Sequence, residues 1–313
     1  MTTLSPSHPV RRRPRGAPSA IPGETPGSPP WRALKSLILL ACVVLVLLPF
    51  LAIVSTSVAD TAQVTRTGGY VLWPDHPGLG AYTALLSGGL VSKAMVVSVG
   101  VTVVGTSLSL LSSVSLAYGL SRPGSFGHKP VLMLLLMSML FVPGVIPSYL
   151  MVKQLGLINS YWSLILPSML NAFNVIVLRS FFMGIPKELI DSARIDGASE
   201  LRILTRIVLP LSKASVAVVG LFYAVTYWNA FFNALLYIND AAKWPLQMVL
   251  RTYVVNNAAL SGGQVDVAAG TPLPPTQSLQ AAILVLSVVP IVIVYPFLQR
   301  HMNKGVMVGA VKG

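Results

Sequence analysis

Charged residues are scarce in this sequence of 313 residues. Asp, Glu, Lys and Arg together make up 10% of it, whereas hydrophobic residues make up 54%. A soluble domain carries about 25% charged residues, so this composition excludes an ordinary soluble protein and indicates a membrane protein. The single cysteine, Cys42, excludes an internal disulfide framework.

Motifs of catalytic and nucleotide-binding sites are also lacking. No G-x-x-x-x-G-K-[ST] segment occurs, so we expect this chain to bind neither ATP in that manner nor any other cofactor. The four histidines lie outside the long apolar runs, and no spacing of side chains indicates a metal site. These absences predict that the chain is not an enzyme.

Apolar stretches of membrane-spanning length, in contrast, occur six times. A helix needs roughly 20 mostly apolar residues to cross a bilayer, and it satisfies its backbone polar groups internally. The stretches are 36–54, 94–118, 131–152, 160–178, 214–238 and 278–298. The sequence therefore predicts an all-α membrane protein with six transmembrane helices. The third stretch contains "FVPGVIPSYL", whose prolines predict the most irregular helix of the six.

Basic residues are concentrated on one side of the predicted membrane. With the N-terminus inside, the inner segments contain 17 of the 22 Lys and Arg residues. This asymmetry follows the positive-inside rule and predicts that both termini are cytoplasmic. The net charge of +13 is then a signal of topology, and we expect no nucleic-acid partner.

Three regions follow from this topology. Residues 1–30 are rich in Pro, Ser, Gly and Arg without an apolar period, which predicts a disordered basic cytoplasmic tail. Residues 31–298 form the predicted six-helix transmembrane domain. Residues 299–313 form a second predicted cytoplasmic tail.

One connection is unlike the rest of the chain. Residues 184–210, "GIPKELIDSARIDGASELRILTRIVLP", hold eight charged side chains between the fourth and fifth predicted helices; we call this segment the charged loop. Pro186 suits a helix start, Gly197 a chain reversal and Ser199 a helix cap. The loop is therefore predicted to be a helix, a glycine turn and a second helix. In the second helix the apolar residues recur at helical spacing: Leu201, Leu204, Ile207 and Val208. Periodicity alone equally fits an amphipathic connector resting on lipid headgroups.

A motif in the charged loop resembles the cytoplasmic loop of permease subunits in bacterial ATP-binding-cassette (ABC) importers. The family pattern is roughly E-A-A, three residues, G, about nine residues and I-x-L-P. Here Asp191, Ser192 and Ala193 precede Gly197, and "IVLP" ends at Pro210. The two departures, Asp for Glu and Ser for Ala, keep the charge sign and the small size.

The resemblance covers nearly all of residues 31–313 and lies within the carbohydrate branch, among maltose-type, LplC/YtcP-like permeases. It is carried by "GLINSYWSLILPSMLNAFNVIVLRSFF" (156–182), "YAVTYWNAFFNALLYIND" (223–240) and "YPFLQRHMNKGVMVGAVKG" (295–313). It implies the type I importer permease fold, a bacterial plasma-membrane location and a translocation path for carbohydrate, in particular oligosaccharide. It also implies that the tail Gly305–Gly313 reaches between two ATPase subunits.

Partners follow from the same resemblance. They are a second permease subunit in a heterodimer, two ABC ATPase subunits that hydrolyse ATP, an extracellular solute-binding protein and membrane lipid. The charged loop would dock on the ATPase and couple its motion to alternating access. The resemblance assigns this coupling to Glu188, Asp191, Ser192, Ala193, Asp196, Gly197, Ala198 and Pro210.

Amide and aromatic side chains in two of the predicted helices suit the hydroxyls and apolar faces of a sugar. As residues of a substrate path the sequence offers Asn171, Asn174, Tyr223, Tyr227, Trp228, Asn229 and Asn233. Buried polar residues also join helices to one another in membranes, and both interpretations stay open.

Small residues recur every four positions in the second predicted helix, at Gly105, Ser109, Ser113 and Ala117. Such a row allows close helix packing, within the chain or against a partner subunit. The outer segments 58–93 and 239–277 are long enough to contact a binding protein. Their Trp73 and Trp244 equally suit a membrane–water interface.

Two other functions remain as alternatives. An ion-coupled secondary transporter usually needs ionisable residues within its spans, and the apolar stretches contain almost none. An ABC permease for another substrate, such as a peptide or a phosphonate, would share every feature described so far.

Overall fold

The computed structural model describes residues 29–87, 89–122, 124–255 and 274–309, and it describes side chains for these except residues 29, 255 and 297–309. Nearly all of the predicted N-terminal tail, residues 1–30, lies outside the described residues, as do residues 310–313 of the C-terminal tail. The chain divides into two compact units, Met1–Phe50 and Leu51–Gly313.

Every regular element within the described residues is helical. The helices are α1 (Pro29–Val58), α2 (Thr61–Arg66), α3 (Gly80–Leu86), α4 (Leu90–Leu120), α5 (His128–Leu140), α6 (Val145–Gln154), α7 (Trp162–Ile165), α8 (Ala172–Met183), α9 (Lys187–Ile195), α10 (Glu200–Ile203), α11 (Leu209–Leu211), α12 (Lys213–Trp228), α13 (Phe231–Tyr237), α14 (Leu246–Leu250) and α15 (Thr276–Gly309). Short 3-10 turns cover Leu166–Ser168 and Ala241–Lys243, and wider π turns cover Leu204–Val208 and Arg251–Val255.

Three of the predicted spans are single long helices. These are α1, α4 and α15, each of which is long and apolar enough to cross a membrane. Proline lies inside α1 at Pro49 and inside α15 at Pro290 without ending either helix. Helix α15 also continues through Gly309, so residues 299–309 of the predicted C-terminal tail are helical.

The other three spans are interrupted. The third is split into α5 and α6 by residues 141–144, where Gly144 has a φ of +82°, which confirms the irregularity predicted from its prolines. Helices α7 and α8 meet at an angle of 51° beside the Leu166–Ser168 turn. Helix α12 gives way to α13 after Asn229 and Ala230. Three long spans, or up to five when bent pairs count as one span each, are found by length and composition among the described residues. With the broken third stretch they are consistent with six transmembrane helices, and the all-α fold predicted from the sequence is confirmed.

The first unit contributes the greater part of α1, up to Phe50. Its described side chains are exposed along their whole length although they are almost all apolar. Exposed apolar surface on this scale is expected of a helix whose neighbours are lipid or another subunit.

The second unit is organised around a seam between α4 and α12. The Ser109 hydroxyl lies 2.7 Å from the Tyr227 hydroxyl, and Ser113 lies 2.7 Å from that of Tyr223. Gly105, one turn earlier, faces the ring of Tyr227 so closely that a Cβ built on it would lie 2.8 Å from a ring carbon. The row of small residues is therefore a helix-packing surface within this chain.

The same two tyrosines bind the neighbouring segment. The Tyr223 hydroxyl accepts a hydrogen bond from the backbone N–H of Asn171 at 3.1 Å, and the Tyr227 hydroxyl donates one to the carbonyl of Ile165 at 3.2 Å. Both side chains are fully buried. Helices α4, α7, α8 and α12 are thus joined through two phenol groups.

Helix α15 is joined to this core by a further aromatic residue. The indole N–H of Trp228 donates to the Ser287 carbonyl at 2.9 Å. Near the same end of the unit, the backbone N–H of Leu246 donates to the Ser98 hydroxyl on α4 at 2.8 Å. The phenol, indole and serine groups named here therefore find partners inside the chain, as a low-dielectric surrounding favours, whereas the buried hydroxyls of Thr102 and Thr106 on α4 have none among the described residues.

The close packing at the seam predicts that substitution by alanine destabilises the protein at one glycine of α4 and not at another. Gly105→Ala places a methyl group against a tyrosine ring that two hydrogen bonds hold in place, so we expect destabilisation of about 1–3 kcal/mol. Gly100→Ala is the matched control, because nothing lies within 4 Å of a Cβ built at Gly100. Thermal unfolding of the purified protein measures both. A Gly105→Ala protein as stable as the control would contradict the close packing at this seam.

Candidate functional site

The charged loop begins as the short helix α9. The sequence predicts Pro186 at the first helical position, whereas in the structure it occupies the capping position, one residue before the helix begins at Lys187. Glu188 lies in the first turn and Arg194 in the last, so both charges are placed favourably for the helix dipole. The local sequence thus specifies where this helix begins and how it is oriented electrostatically.

Gly197 reverses the chain after α9. Its φ is +75°, a conformation that other L-residues adopt at a cost, and its backbone N–H donates to the Arg194 carbonyl at 3.0 Å. The next residue, Ala198, donates to the Ala193 carbonyl at 2.9 Å. The predicted glycine turn is confirmed, and it closes α9 with the helix-terminating hydrogen bonds that a left-handed residue allows.

The second half of the charged loop departs from the regular helix predicted for it. Ser199 occupies the capping position with extended backbone, but its hydroxyl makes no capping hydrogen bond. Helix α10 passes into the π turn Leu204–Val208 and then into α11. A π turn contains more residues than an α-helical turn, so it shifts the apolar face. Leu204 and Val208 are buried as predicted, whereas Leu201 is 70% exposed.

Glu200 joins both halves of the charged loop to the end of α4. Its carboxylate accepts hydrogen bonds from the Tyr118 hydroxyl at 2.8 Å and from the Arg194 guanidinium at 3.1 Å, and it pairs with Arg122 at 2.7 Å. Arg122 also donates to the Tyr118 hydroxyl and lies over its ring. One carboxylate therefore connects α9, α10 and α4.

The protonation of Glu200 is set by these partners. Partial burial opposes ionisation, but the hydrogen bonds from Tyr118 and Arg194 and the charge of Arg122 outweigh it and hold the pKa of the Glu200 carboxyl below its usual value. Close by, the Arg179 guanidinium donates to the Leu120 carbonyl at 2.8 Å, which secures the same end of α4 to α8.

Apolar side chains fix the charged loop to the core. Ile203 is fully buried with Leu204 and Val208, and Ile190, Ala193 and Ala198 pack on the same hydrophobic cluster. The loop is therefore a packed part of the second unit, held by burial as well as by the Glu200 contacts.

The remaining face of the charged loop is open. Ile195, at the end of α9, is 86% exposed between two charged neighbours, and Leu201 projects nearby in sequence. Of the residues predicted to couple to an ATPase, six are exposed: Glu188, Asp191, Ser192, Asp196, Gly197 and Pro210. Ser192, Ala193, Asp196 and Pro210 also line a groove of about 440 Å³ between the two halves of the loop. An exposed apolar tip between an arginine and an aspartate, together with a groove lined by the same loop, has the chemistry of a protein-docking surface.

Sequence reasoning did not single out Ile195, Glu200, Tyr118 or Arg122. Ile195 gives the clearest signal that could have been used, since it is a large apolar residue on the charged side of an otherwise amphipathic helix. Arg122 entered the sequence argument as a topology charge, and no local pattern connects it with a residue 78 positions later.

The predicted substrate-path residues divide into two groups. Tyr223, Tyr227 and Trp228 are buried, and their polar groups bind within the chain at the contacts described for the core. Asn174 is also buried, in the first turn of α8. In this conformation the two tyrosines and the tryptophan serve as contacts between helices.

The other three asparagines are accessible. Asn171 is exposed and its side-chain oxygen accepts the backbone N–H of Asn174 at the start of α8. Asn229 is exposed at the break between α12 and α13, and the half-buried Asn233 lies 3.5 Å from the Ser168 hydroxyl. Their place in a substrate path stays a prediction.

Comparisons with known proteins agree on one family. The sequence profile of the family described as "Binding-protein-dependent transport system inner membrane component" matches residues 79–308. The chain is 44% identical to the polygalacturonan/rhamnogalacturonan transport system permease protein YtcP of Bacillus subtilis (strain 168), over 88% of this chain and 96% of that protein. It is 45% identical to the protein LplC of the same organism, over 85% of this chain and 90% of that protein. A chain in the crystal structure of a bacterial ABC transporter involved in the import of the acidic polysaccharide alginate superposes with a TM-score of 0.80 at 29% identity, over 90% of this chain and 99% of that one.

The Glu200 contacts predict a local response to charge removal. Glu200→Gln should weaken three contacts at once, so backbone amides of residues 187–203 should exchange hydrogen faster than in the parent protein. Glu188→Gln, in the exposed first turn of α9, is the matched control. Hydrogen exchange followed by mass spectrometry measures both variants, and unchanged exchange in Glu200→Gln would contradict the role of the carboxylate.

The same contacts have a defined pH dependence. Because the pKa of Glu200 is lowered in the folded protein, its stabilising contribution is present above the ordinary pKa of a glutamate and disappears as the pH falls through the lowered value. After correction for intrinsic exchange rates, protection of residues 187–203 should decline on acidification in the parent protein and not in Glu200→Gln.

Proposed function

The chain belongs to the family of binding-protein-dependent transport system inner membrane components, and we propose that it is the carbohydrate-conducting permease subunit of an importer. In this proposal the ATPase of the importer binds the charged loop. The chain is an ABC transporter permease of the membrane and not an enzyme. It works with a solute-binding protein and with ATPase partners. The proposal concerns the substrate, the docking site and the arrangement of the subunits.

The open face of the charged loop is the observation that carries the docking site. Ile195 projects from the end of α9 while the opposite face of the same loop is buried in the core. A coupling element has to be exposed to the moving partner and firmly held by the protein that it moves. Glu188 and Asp191 of the same helix, and Asp196 directly after Ile195, would contact the ATPase. The ATPase would supply all ATP chemistry.

A route for the motion leads from the charged loop to the membrane. Glu200 binds Tyr118 and Arg122 at one end of α4, and the serines of the same helix bind Tyr223 and Tyr227 of α12. A shift of the loop would therefore displace α4 with it and act on the seam. Alternating access then arises from movement of packed helices against a second, non-identical permease subunit, in a complex with two ATPases.

Topology completes the arrangement. The distribution of Lys and Arg supports cytoplasmic N- and C-termini and a cytoplasmic charged loop. Residues 31–298 would then be the permease domain, with residues 1–30 and 299–313 as its cytoplasmic tails.

The substrate class rests on the relatives. The names of one relative and of the structural neighbour refer to polygalacturonan, rhamnogalacturonan and alginate, all of which contain uronic acids. We therefore propose an oligosaccharide substrate and place fragments of acidic polysaccharides first. Asn171, Asn229 and Asn233 are the accessible candidates for contact with its hydroxyl groups. The buried tyrosines would hold together the helices that line the path.

The family assignment also bears on the alternatives. An ion-coupled secondary transporter is not supported, since this chain matches the binding-protein-dependent family and its structural neighbour belongs to an ABC transporter. No name among the proteins compared refers to a peptide or a phosphonate, but a relative that is 28% identical over 87% of this chain is named for transport of sn-glycerol-3-phosphate, so a non-sugar substrate stays the alternative.

Uptake by the complete transporter tests the proposal. The assay uses intact cells that express the chain with its partner subunits and binding protein, so that the transporter keeps its native orientation. We expect labelled oligogalacturonides or alginate oligosaccharides to enter, entry to stop on ATP depletion, and entry to persist when a protonophore collapses the proton gradient. A di- or tripeptide of similar size is the control substrate. Uptake of the peptide in place of every oligosaccharide would contradict the proposed substrate class.

A further inference from the structure

The segment between α2 and α3, residues 67–79, has a fixed conformation; we call it the aromatic loop. The Gln63 side chain donates to the Trp73 carbonyl at 2.9 Å and accepts the backbone N–H of Asp75 at 3.0 Å. The Thr56 hydroxyl accepts the backbone N–H of Val71 at 2.9 Å. Gln63 and Thr56 are themselves buried, so the backbone of the loop is held in one conformation by buried side chains.

This ordered loop exposes three large side chains. Tyr70 is 75% exposed, Leu72 is 61% exposed and Trp73 is 82% exposed, whereas Val71 between them is buried. Exposing a rigid group of apolar and aromatic side chains to water is unfavourable, and such a patch marks a surface that meets a partner.

The depth of the patch identifies the partner. The Ser55 hydroxyl donates to the Leu72 carbonyl at 2.9 Å, while the backbone N–H of Gly78 reaches the carbonyl of Val58, the last residue of α1. Leu72 therefore lies beside a residue three positions before the helix end, which corresponds to roughly 4.5 Å back along the helix. The loop descends along the end of a transmembrane helix and then rises again.

A second transmembrane helix gives the same depth. A Cβ built on Gly69 would lie 3.1 Å from the side chain of Gln277, the second residue of α15. The aromatic loop is thus placed between the end of one membrane span and the beginning of another. Both helices are long and apolar enough to cross a membrane, so we expect these two helix ends near the level where the hydrocarbon of a bilayer gives way to its headgroups.

We propose that the aromatic loop is a lipid-binding surface, which places Tyr70, Leu72 and Trp73 among the headgroups and upper acyl chains. Tyrosine and tryptophan rings have an apolar body and a polar edge, and they are favoured at this level of a bilayer. The exposed ion pair between Arg66 and Asp75, 3.1 Å apart, lies beside the patch and suits zwitterionic headgroups. A protein partner arriving from the water would instead meet the exposed polar residues that follow the patch in sequence, such as His76.

A depth-sensitive fluorophore tests the proposal. Leu72→Cys in a Cys42→Ser chain, assembled with its partner subunits in phospholipid nanodiscs, is labelled with the environment-sensitive probe NBD. His76→Cys in the same background is the matched control within the loop, and Tyr70→Cys is the second probe should Leu72→Cys fail to assemble. Quenching is measured with lipids that carry a doxyl group just below the headgroup and, separately, with iodide in the water.

We expect the Leu72 probe to be blue-shifted and to be quenched several-fold more by doxyl lipid than the His76 probe, with the order reversed for iodide. Equal iodide quenching at the two positions would overturn the proposal. Protection of the Leu72 probe by added solute-binding protein, without quenching by doxyl lipid, would also overturn it and would identify a protein-docking surface. Since iodide reaches both faces of a nanodisc, the result depends neither on the proposed topology nor on the proposed substrate.

Discussion

The hydrogen bonds between two serines of α4 and two tyrosines of α12 are the contacts on which the rest of this structure depends. Within a bilayer a polar group without a partner in the protein is costly, so helices that carry hydroxyl groups are held to one another where these groups meet. Gly105 allows the approach, because any side chain there would occupy the position of the Tyr227 ring. Ser109 and Ser113 then satisfy both phenols, and those phenols also bind backbone groups of two further segments.

Helix α4 carries this seam at its middle and the charged loop at its end. Tyr118 and Arg122, within three turns beyond Ser113, bind Glu200 at the start of α10 in the second half of the loop. The loop is therefore continuous, through one helix, with the centre of the membrane domain. Packed interfaces of this kind move as units and do not bend gradually, which is what a permease requires if a motion at one end is to open a path at the other.

Much of this architecture is predictable from the sequence, because its signals are local. Six apolar stretches predict six spans, and small residues at every fourth position of α4 predict a packing surface. Gly197 predicts a turn that needs positive φ. The contacts of Glu200 are not predictable in this way, since charge counts do not show which arginine lies near it. Tyr223 and Tyr227 show the same limit: their residue type suits a sugar, but their direction depends on hydroxyl groups more than a hundred residues away. The π turn Leu204–Val208 and the exposure of Leu201 just before it have no clear local signature either.

Crosslinking from the tip of the charged loop tests the central claim most directly. Ile195→Cys in a Cys42→Ser chain should form a crosslink to the ATPase subunit in membranes that contain the whole transporter, and the yield should change when ATP is bound and hydrolysed. The same reagent at His76→Cys, at the opposite end of the fold in the predicted topology, should capture no ATPase. If Ile195→Cys captures no ATPase in a transporter that still imports its substrate, the charged loop does not couple the ATPase to the membrane helices, and the proposed mechanism is contradicted.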